Sequence, residues 1–356
     1  VERNKAAYPP LRTSTMQQTM ANLFGMSAKK TMSAAQKLFE KGFITYHRTD
    51  SFNLSPQFLE STRKYIKKTY SEKYLPEQAN IYKSKSKNAQ EAHEAIRPTD
   101  IKRLPDASLK LTPEEDKVYK IIWKRALESQ VAPAVFDRTT IIIKSSNNYE
   151  LRATGSIVKF DGWLIVNKKL GIENSDEMVK LPDLSEGDTL ILDKVEPTQH
   201  FTQPPGRYTD ATLIKTLEEL GIGRPSTYAP TISTILARRY VTRDARAFVP
   251  TDVAFVVTDL LTKYFENVVS YEFTAEMEEQ FDAIARGEKK WKPLIKEFYK
   301  PFIKELEQRD KELKKADVTT LEKLDEKCPE CGKPLIVKLG KYGKFISCSG
   351  YPDCEY

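Results

Sequence analysis

All four cysteines of the chain fall within its last 29 residues, as Cys328-x2-Cys331 followed by Cys348-x5-Cys354, and the preceding 327 residues hold none. Two close pairs parted by sixteen residues bring four thiolates to one tetrahedral ion, so the spacing predicts a C4 zinc ribbon over 328–356. Disulfide-rich secreted folds do not concentrate their cysteines this way, and the pattern predicts a metal site in a reducing cytosol. Gly340, Gly343, Tyr342, Phe345 and Tyr351 lie among the ligands. That mix suits stacking of single-stranded bases, and equally a clip that only folds the tail.

The remaining length, within a total of 356 residues that is 40% hydrophobic and 10% aromatic, leaves room for two or three domains with real cores. No apolar run reaches the roughly eighteen residues that span a bilayer, so no transmembrane helix and no membrane partner are expected. Residues 1–10 are charged and proline-containing, unlike a signal peptide. A start at Val1 in place of methionine suggests a piece of a longer polypeptide. The net charge of +7 (57 Lys+Arg against 50 Asp+Glu) favours an anionic partner without demanding one.

Local signals divide the chain. Thr13 or Ser14 caps a helix through Met16, Met20 and Leu23 that Gly25 ends; a second helix over 28–40 stops at Gly42, and 43–46 is a short extended run. Ser55 caps a third helix that opens on Pro56. Thr112 and Glu115 form a capping box for a fourth. After Pro133, β-branched runs at 138–144, 149–153, 156–166 and 188–195 predict antiparallel strands. From Thr209 helices return. An amphipathic helix over 210–220, a glycine turn and a helix starting at Pro225 look like a helix-turn-helix. Further helices follow over 253–265 and 275–286, then a charge-rich solvated one over 301–315. The result is a multidomain α+β chain: a helical domain 1–134, an antiparallel β segment 135–200, a helical, helix-turn-helix-like domain 201–315, a linker 316–327 and the ribbon.

Three stretches carry chemistry. In Phe43-Ile44-Thr45-Tyr46-His47-Arg48-Thr49-Asp50-Ser51, a tyrosine precedes an arginine by two residues. In an extended backbone both side chains project from one face, so a hydroxyl nucleophile and a cation meet one phosphate. A free phenol has a pKa near about 10 and needs such help. The plain reading is a packed tyrosine beside a solvated arginine. Ala89-Gln90-Glu91-Ala92-His93-Glu94-Ala95-Ile96-Arg97-Pro98-Thr99 holds one of only three histidines; alone it reads as a solvated polar helix. In Gly221-Ile222-Gly223-Arg224-Pro225-Ser226-Thr227-Tyr228, a glycine turn feeds a helix N-terminus, where amides, dipole and Arg224 make an anion site. Simple capping by Ser226 or Thr227 is its plain alternative.

All three stretches resemble motifs of the type IA DNA topoisomerase family, in its bacterial form, and the resemblance runs over nearly the whole chain. It implies that Tyr46 attacks a single-stranded DNA phosphodiester, giving a 5′-phosphotyrosyl link and a free 3′-hydroxyl. It implies that Arg48 contacts the scissile region and that His93 lies near the tyrosine and handles a proton or the phosphate. It also implies that Arg224, Ser226, Thr227 and Arg238 hold the DNA backbone. The activity so implied is relaxation of negatively supercoiled DNA by cutting one strand, passing the other and resealing, in the bacterial cytosol. No ATP is implied, and no Gly-x4-Gly-Lys-Ser/Thr loop occurs. The family's Mg2+ is held by a Toprim domain with an Asp-x-Asp-x-Asp cluster, and no two aspartates here are spaced by one residue. Mg2+ and Toprim are therefore expected in cis in a longer protein or in trans. The rival reading is a single-stranded DNA-binding module without chemistry of its own. A zinc-ribbon transcription or repair protein would leave the Tyr46 and His93 motifs unexplained.

Overall fold

The computed structural model describes residues 1–82, 93–172, 180–313, 318–340 and 343–356. The polar loop expected at 84–88, Ala89 to Ala92 of the histidine motif, and Tyr342 lie outside them. The chain divides into two compact units, Val1–Met16 with Lys30–Gly206, and Gln17–Lys29 with Arg207–Tyr356.

In the first unit, β1 (Glu2–Lys5), β2 (Ala134–Lys144) and β3 (Glu150–Phe160) form an antiparallel sheet in that order. β1 therefore carries the N-terminal segment across the boundary expected at 134. The strands expected at 149–153 and 156–166 are one strand, and it ends at Phe160 because Gly162 turns left-handed (φ 47°). A Cβ there would sit 2.4 Å from the Pro133 carbonyl oxygen, so the chain bends into a helical turn and α5 (Ile165–Lys169). Residues 188–195 form no strand: Leu190, Ile191, Leu192 and Val195 are exposed, Ile191 at 94%. An apolar run becomes a strand only when an edge pairs with it, and no described residue does.

The core of this unit is built on α4 (Pro113–Glu128), whose Val118, Tyr119, Ile122, Trp123 and Leu127 are fully buried. Each such side chain contributes about 1.5–3 kcal/mol. The expected Thr112–Glu115 capping box is present. Trp123 Nε1 donates to the Ile101 carbonyl (2.9 Å) and the Tyr119 hydroxyl to that of Arg103 (2.7 Å), so no polar atom of either ring is left bare. α3 (Pro56–Tyr70) buries Phe58 and Ile66, and its Tyr65 meets Trp123 edge-on at 6.2 Å. α1 (Thr13–Phe24) and α2 (Ala28–Glu40) match the sequence reading, and each runs from one unit into the other.

In the second unit, α6 (Asp210–Glu219) and α7 (Tyr228–Ala237) form the expected helix-turn-helix, followed by a hairpin of β4 (Val241–Asp244) and β5 (Ala247–Pro250). α7 begins three residues after Pro225. Next come α8 (Asp252–Tyr264), α9 (Glu266–Val269), α10 (Tyr271–Ala285) and α11 (Trp291–Glu312). α11 extends ten residues ahead of its expected start and carries Pro301 in its interior. Phe298 stacks on Phe302 (5.4 Å) across the proline, which costs the helix a backbone donor, and Phe273 of α10 meets Phe298 at a tilt (5.7 Å). The linker expected at 316–327 is a strand for most of its length: β6 (Thr320–Lys327) pairs with β7 (Pro334–Gly340), and β7 with β8 (Gly343–Cys348).

Candidate active site

α2 ends in a glycine cap that aims the chain into the tyrosine segment. Gly42 is left-handed (φ 71°) and donates to the Phe39 carbonyl (2.9 Å), while Phe43 N–H reaches that of Leu38 (2.9 Å). Lys41 at this corner meets the buried Glu115 carboxylate at 2.8 Å. Burial alone would raise the Glu115 carboxyl; the hydrogen bonds from Lys41 and the Thr112 N–H, with the Lys41 and Lys37 charges, hold it below the ordinary range. Beyond Gly42 the segment pairs briefly with 97–99: Ile44 bridges Pro98, Thr45 N–H reaches the Arg97 carbonyl (2.9 Å) and Thr99 N–H that of Phe43 (2.9 Å).

From Tyr46 onward the backbone bends, and hydroxyls secure it instead of a ladder. Thr13 Oγ1 donates to the His47 carbonyl (2.7 Å) and accepts from Thr49 N–H (2.9 Å). Thr49 Oγ1 accepts from Ser51 N–H (3.1 Å), and Ser51 Oγ from Asn53 N–H (3.0 Å). This is why a Thr-Asp-Ser cluster follows the arginine: short hydroxyls satisfy backbone groups that no strand serves. Of the extended run expected over 43–46, the structure keeps a single bridge at Ile44, with bends at Phe43 and Thr45. Tyr46 and Arg48 are exposed, Tyr46 at 46%, while His47 and Thr49 between and after them are buried. Arg48 is exposed and makes no ion pair among the described residues.

His47 escaped the sequence reading, although the two-residue alternation already put it on the inner side. Its ring is edge-on to Tyr46 (5.4 Å, 68°) and tilted against Phe39 (6.1 Å), and Phe39 meets Tyr46 edge-on at 5.3 Å. It is fully buried and neither ring nitrogen has a hydrogen-bond partner among the described residues. Burial, aided by the Arg48 cation and opposed by Glu40, pushes the imidazole down to about 4. On acidification the unfolded chain therefore takes up this proton first, near pH 6.5. Stability contributed by neutral His47 is full above that pH, drains as pH falls to about 4 and levels off below, a total of about 3 kcal/mol. In an NMR titration one of the three histidines should titrate near pH 4, and His47→Met should remove that signal and flatten the acid limb of urea stability. Three histidines all titrating between pH 6 and 7 would contradict the burial.

His93 is half-buried at the other end of the 93–99 segment. Its neighbour Glu94 accepts from Ser55 N–H (2.5 Å) and pairs with Arg97 (2.6 Å), while Ala95 N–H reaches the Asn53 carbonyl (2.7 Å). Burial would raise the Glu94 carboxyl, but Arg97 and Ser55 together hold it below the ordinary range. The ring neighbours of Tyr46 are Phe39 and His47, not His93.

The third stretch, 221–228, is the turn that leads from α6 into α7. Arg224 does not stand free at a helix end: its Nε and Nη2 donate to Asp282 at 3.0 and 2.6 Å. Thr227 Oγ1 accepts from Arg224 N–H (2.8 Å) and makes no cap to α7. Ser226 and Arg238 are exposed.

The four cysteine sulfurs all lie within 4.8 Å of one another, with Cys331–Cys348 at 3.2 Å and Cys328–Cys354 at 3.7 Å. A tetrahedron of Zn–S bonds of about 2.3 Å separates its sulfurs by about 3.8 Å. The thiols are unbonded to one another and fit that ion. Gly332 (φ 74°) closes the first knuckle, where Cys328 N–H reaches the Lys333 carbonyl (2.7 Å), and Gly350 N–H donates to Cys348 Sγ (3.2 Å) in the second. The Lys333 amide, with Cys348, lowers the Cys331 thiol to about 7, toward the thiolate that a metal needs.

Residues 1–296 match the family described as DNA topoisomerase, and residues 325–356 the family described as topoisomerase DNA binding C4 zinc finger. The chain belongs to the DNA topoisomerase family. It is 42% identical to DNA topoisomerase 1 of Campylobacter jejuni over 100% of its own length and 51% of that protein. Against DNA topoisomerase 1 of Vibrio cholerae it is 45% identical, over 96% of this chain and 39% of that one. The solved full-length topoisomerase I from Thermotoga maritima superposes with a TM-score of 0.79 at 34% identity, covering 98% of this chain and 57% of that one. The topoisomerase chain thus spans about half the length of the relatives it matches. Its C-terminal sheet is the family's C4 zinc ribbon.

Proposed function

We propose that this chain carries the tyrosine half of a type IA topoisomerase active site, acting on a single-stranded stretch of negatively supercoiled DNA. Tyr46 Oη attacks the phosphorus; the bond from phosphorus to the 3′ oxygen breaks as the bond to Tyr46 forms. The phenol proton leaves, the 3′ oxygen gains one, and the phosphate, now bonded to Tyr46 Oη, stays joined to the downstream strand through its 5′ oxygen. Arg48 neutralises the phosphate as charge builds on it. His93, which the family resemblance sets near the tyrosine, handles a proton or the phosphate, as an imidazole can. Because the phosphotyrosine keeps the energy of the broken bond, resealing is the same step reversed and needs no ATP. Magnesium, held by a Toprim domain outside this sequence, would add charge stabilisation at the same phosphate. The helical part over 201–315 grips the strand, with Ser226, Thr227 and Arg238 as backbone contacts, and the ribbon adds a second hold. A reducing cytoplasm keeps its thiolates available to zinc.

The observation that carries this reading is the joint exposure of Tyr46 and Arg48 on a hydroxyl-pinned segment whose intervening residue is buried. The test incubates the chain with end-labelled single-stranded DNA and magnesium, alone and with a Toprim-bearing half in trans. A denaturant-resistant protein–DNA adduct that requires the added half is expected. Strand binding with no adduct in either mixture would leave the chain as a DNA-holding module.

A further inference from the structure

The turn between α6 and α7 is folded from behind by two acids of α10. Gly223 is left-handed (φ 86°) and its N–H donates to Glu278 Oε1 at 3.1 Å. A Cβ on Gly223 would come within 2.7 Å of the Tyr228 ring, so no other residue lets the turn close this tightly. Arg224 then closes the turn on itself. Its Nη1 donates to the carbonyls of Gly221 (3.2 Å) and Gly223 (2.8 Å), while Nε and Nη2 share Asp282 Oδ2 at 3.0 and 2.6 Å. Glu278 adds a contact of 3.7 Å to the same guanidinium. Burial tends to lower Arg224, but Asp282 and Glu278 outweigh it and hold the cation more firmly than in water.

A guanidinium has five N–H donors. Here all three nitrogens are committed, to one carboxylate and to the carbonyls of the turn it follows. The fork that would clasp a phosphate is already in use. By contrast Ser226 and Arg238 are exposed and make no ion pair or side-chain hydrogen bond among the described residues. Glu278 and Asp282 stand four residues apart on α10, one face of one helix, so they act on the turn as a unit.

We propose that Glu278 and Asp282 are positioning residues for the DNA-backbone grip, and that Arg224 is the strut through which they hold the turn instead of a phosphate ligand. This rests on the reading above that the turn meets the DNA strand.

Two roles for Arg224 give opposite signs. If Arg224 binds phosphate and the acids merely compete for it, Asp282→Asn frees a cation, removes a nearby negative charge and tightens binding. If Arg224 is a strut, the same change loosens the turn and weakens binding, against the electrostatic trend. The experiment is fluorescence anisotropy of the intact, zinc-loaded chain with a labelled single-stranded oligonucleotide over a salt series. Asp282→Asn and Glu278→Gln should each weaken binding about five- to ten-fold. Arg224→Lys, which keeps the charge and loses the fork, should do the same, and Arg224→Lys with Asp282→Asn should be no worse than either alone. Arg238→Gln is the reference for a phosphate contact, lowering the slope of log K against log salt by about 0.7. Tighter or unchanged binding by Asp282→Asn, or additive losses in the double variant, would overturn the proposal. Thermal melts report folding; if Asp282→Asn melts early, Glu278→Gln, which spares the Asp282 pair, decides. Failure of the unsubstituted chain to bind the oligonucleotide would sink the DNA reading itself, a separate outcome.

Discussion

Tyr46→Phe should abolish covalent capture of DNA, by more than about a thousand-fold, while strand binding stays within about two-fold. The substitution deletes one oxygen and leaves the ring, so the edge-on contacts with Phe39 and His47 remain. Tyr46 is 46% exposed and its hydroxyl supports no hydrogen bond among the described residues, so little stability is at stake. Loss of chemistry with retained binding therefore isolates the nucleophile. Arg48→Ala is a milder companion: it removes one fixed cation from the phosphate, a loss of about a hundred- to a thousand-fold in adduct formation. It also relieves His47 of the cation that helps hold it neutral, so its acid titration moves toward the ordinary histidine range. Both variants are measured in the trans-complemented adduct assay on denaturing gels. An adduct that survives Tyr46→Phe would move the nucleophile elsewhere and undo the assignment.

What the sequence made legible is what local chemistry decides. The capping box at Thr112, the glycine stop at Gly42 and the cysteine spacing each act over a few residues, and each stands where it was read. The exposure of Tyr46 with Arg48 was legible from a period of two. Long-range partners were not. Arg224 looked like a free cation because Asp282 lies 58 residues further on, and nothing in Gly-Ile-Gly-Arg announces it. His47 went unread because its burial depends on α2 and on Thr13, 34 residues earlier. The segment 320–327 read as a linker because Thr-Leu-Glu-Lys-Leu-Asp-Glu-Lys is mostly charged and its outer positions are exposed. It becomes a strand only because β7 offers it an edge. The reverse error at 188–195 has the same origin: strand propensity without an edge to pair makes no strand.

That edge depends on the metal, and zinc removal is the second large effect expected. The buried cluster of the ribbon is Cys328, Leu335, Cys348 and Cys354, with Leu324 packed against it. Three of its four buried members are ligands, so without the ion this cluster keeps one leucine, and Ile336 is the ribbon's other buried aliphatic side chain. A sheet of three short strands cannot offset its chain entropy on that basis. Ion binding and folding are then one event, worth about 10–16 kcal/mol in apparent terms for sites of this kind. Chelation should expose all four thiols to a disulfide reagent and erase the β6–β7–β8 amide signals, while the α4 core, built on Trp123 and Tyr119, is untouched. Readdition of zinc should restore both. Cys348→Ser should reproduce the chelated state without a chelator, since Cys348 is fully buried and its sulfur also accepts the Gly350 amide. Four slow-reacting thiols and an intact sheet after chelation would mean that the strands carry the ribbon and the metal only decorates it.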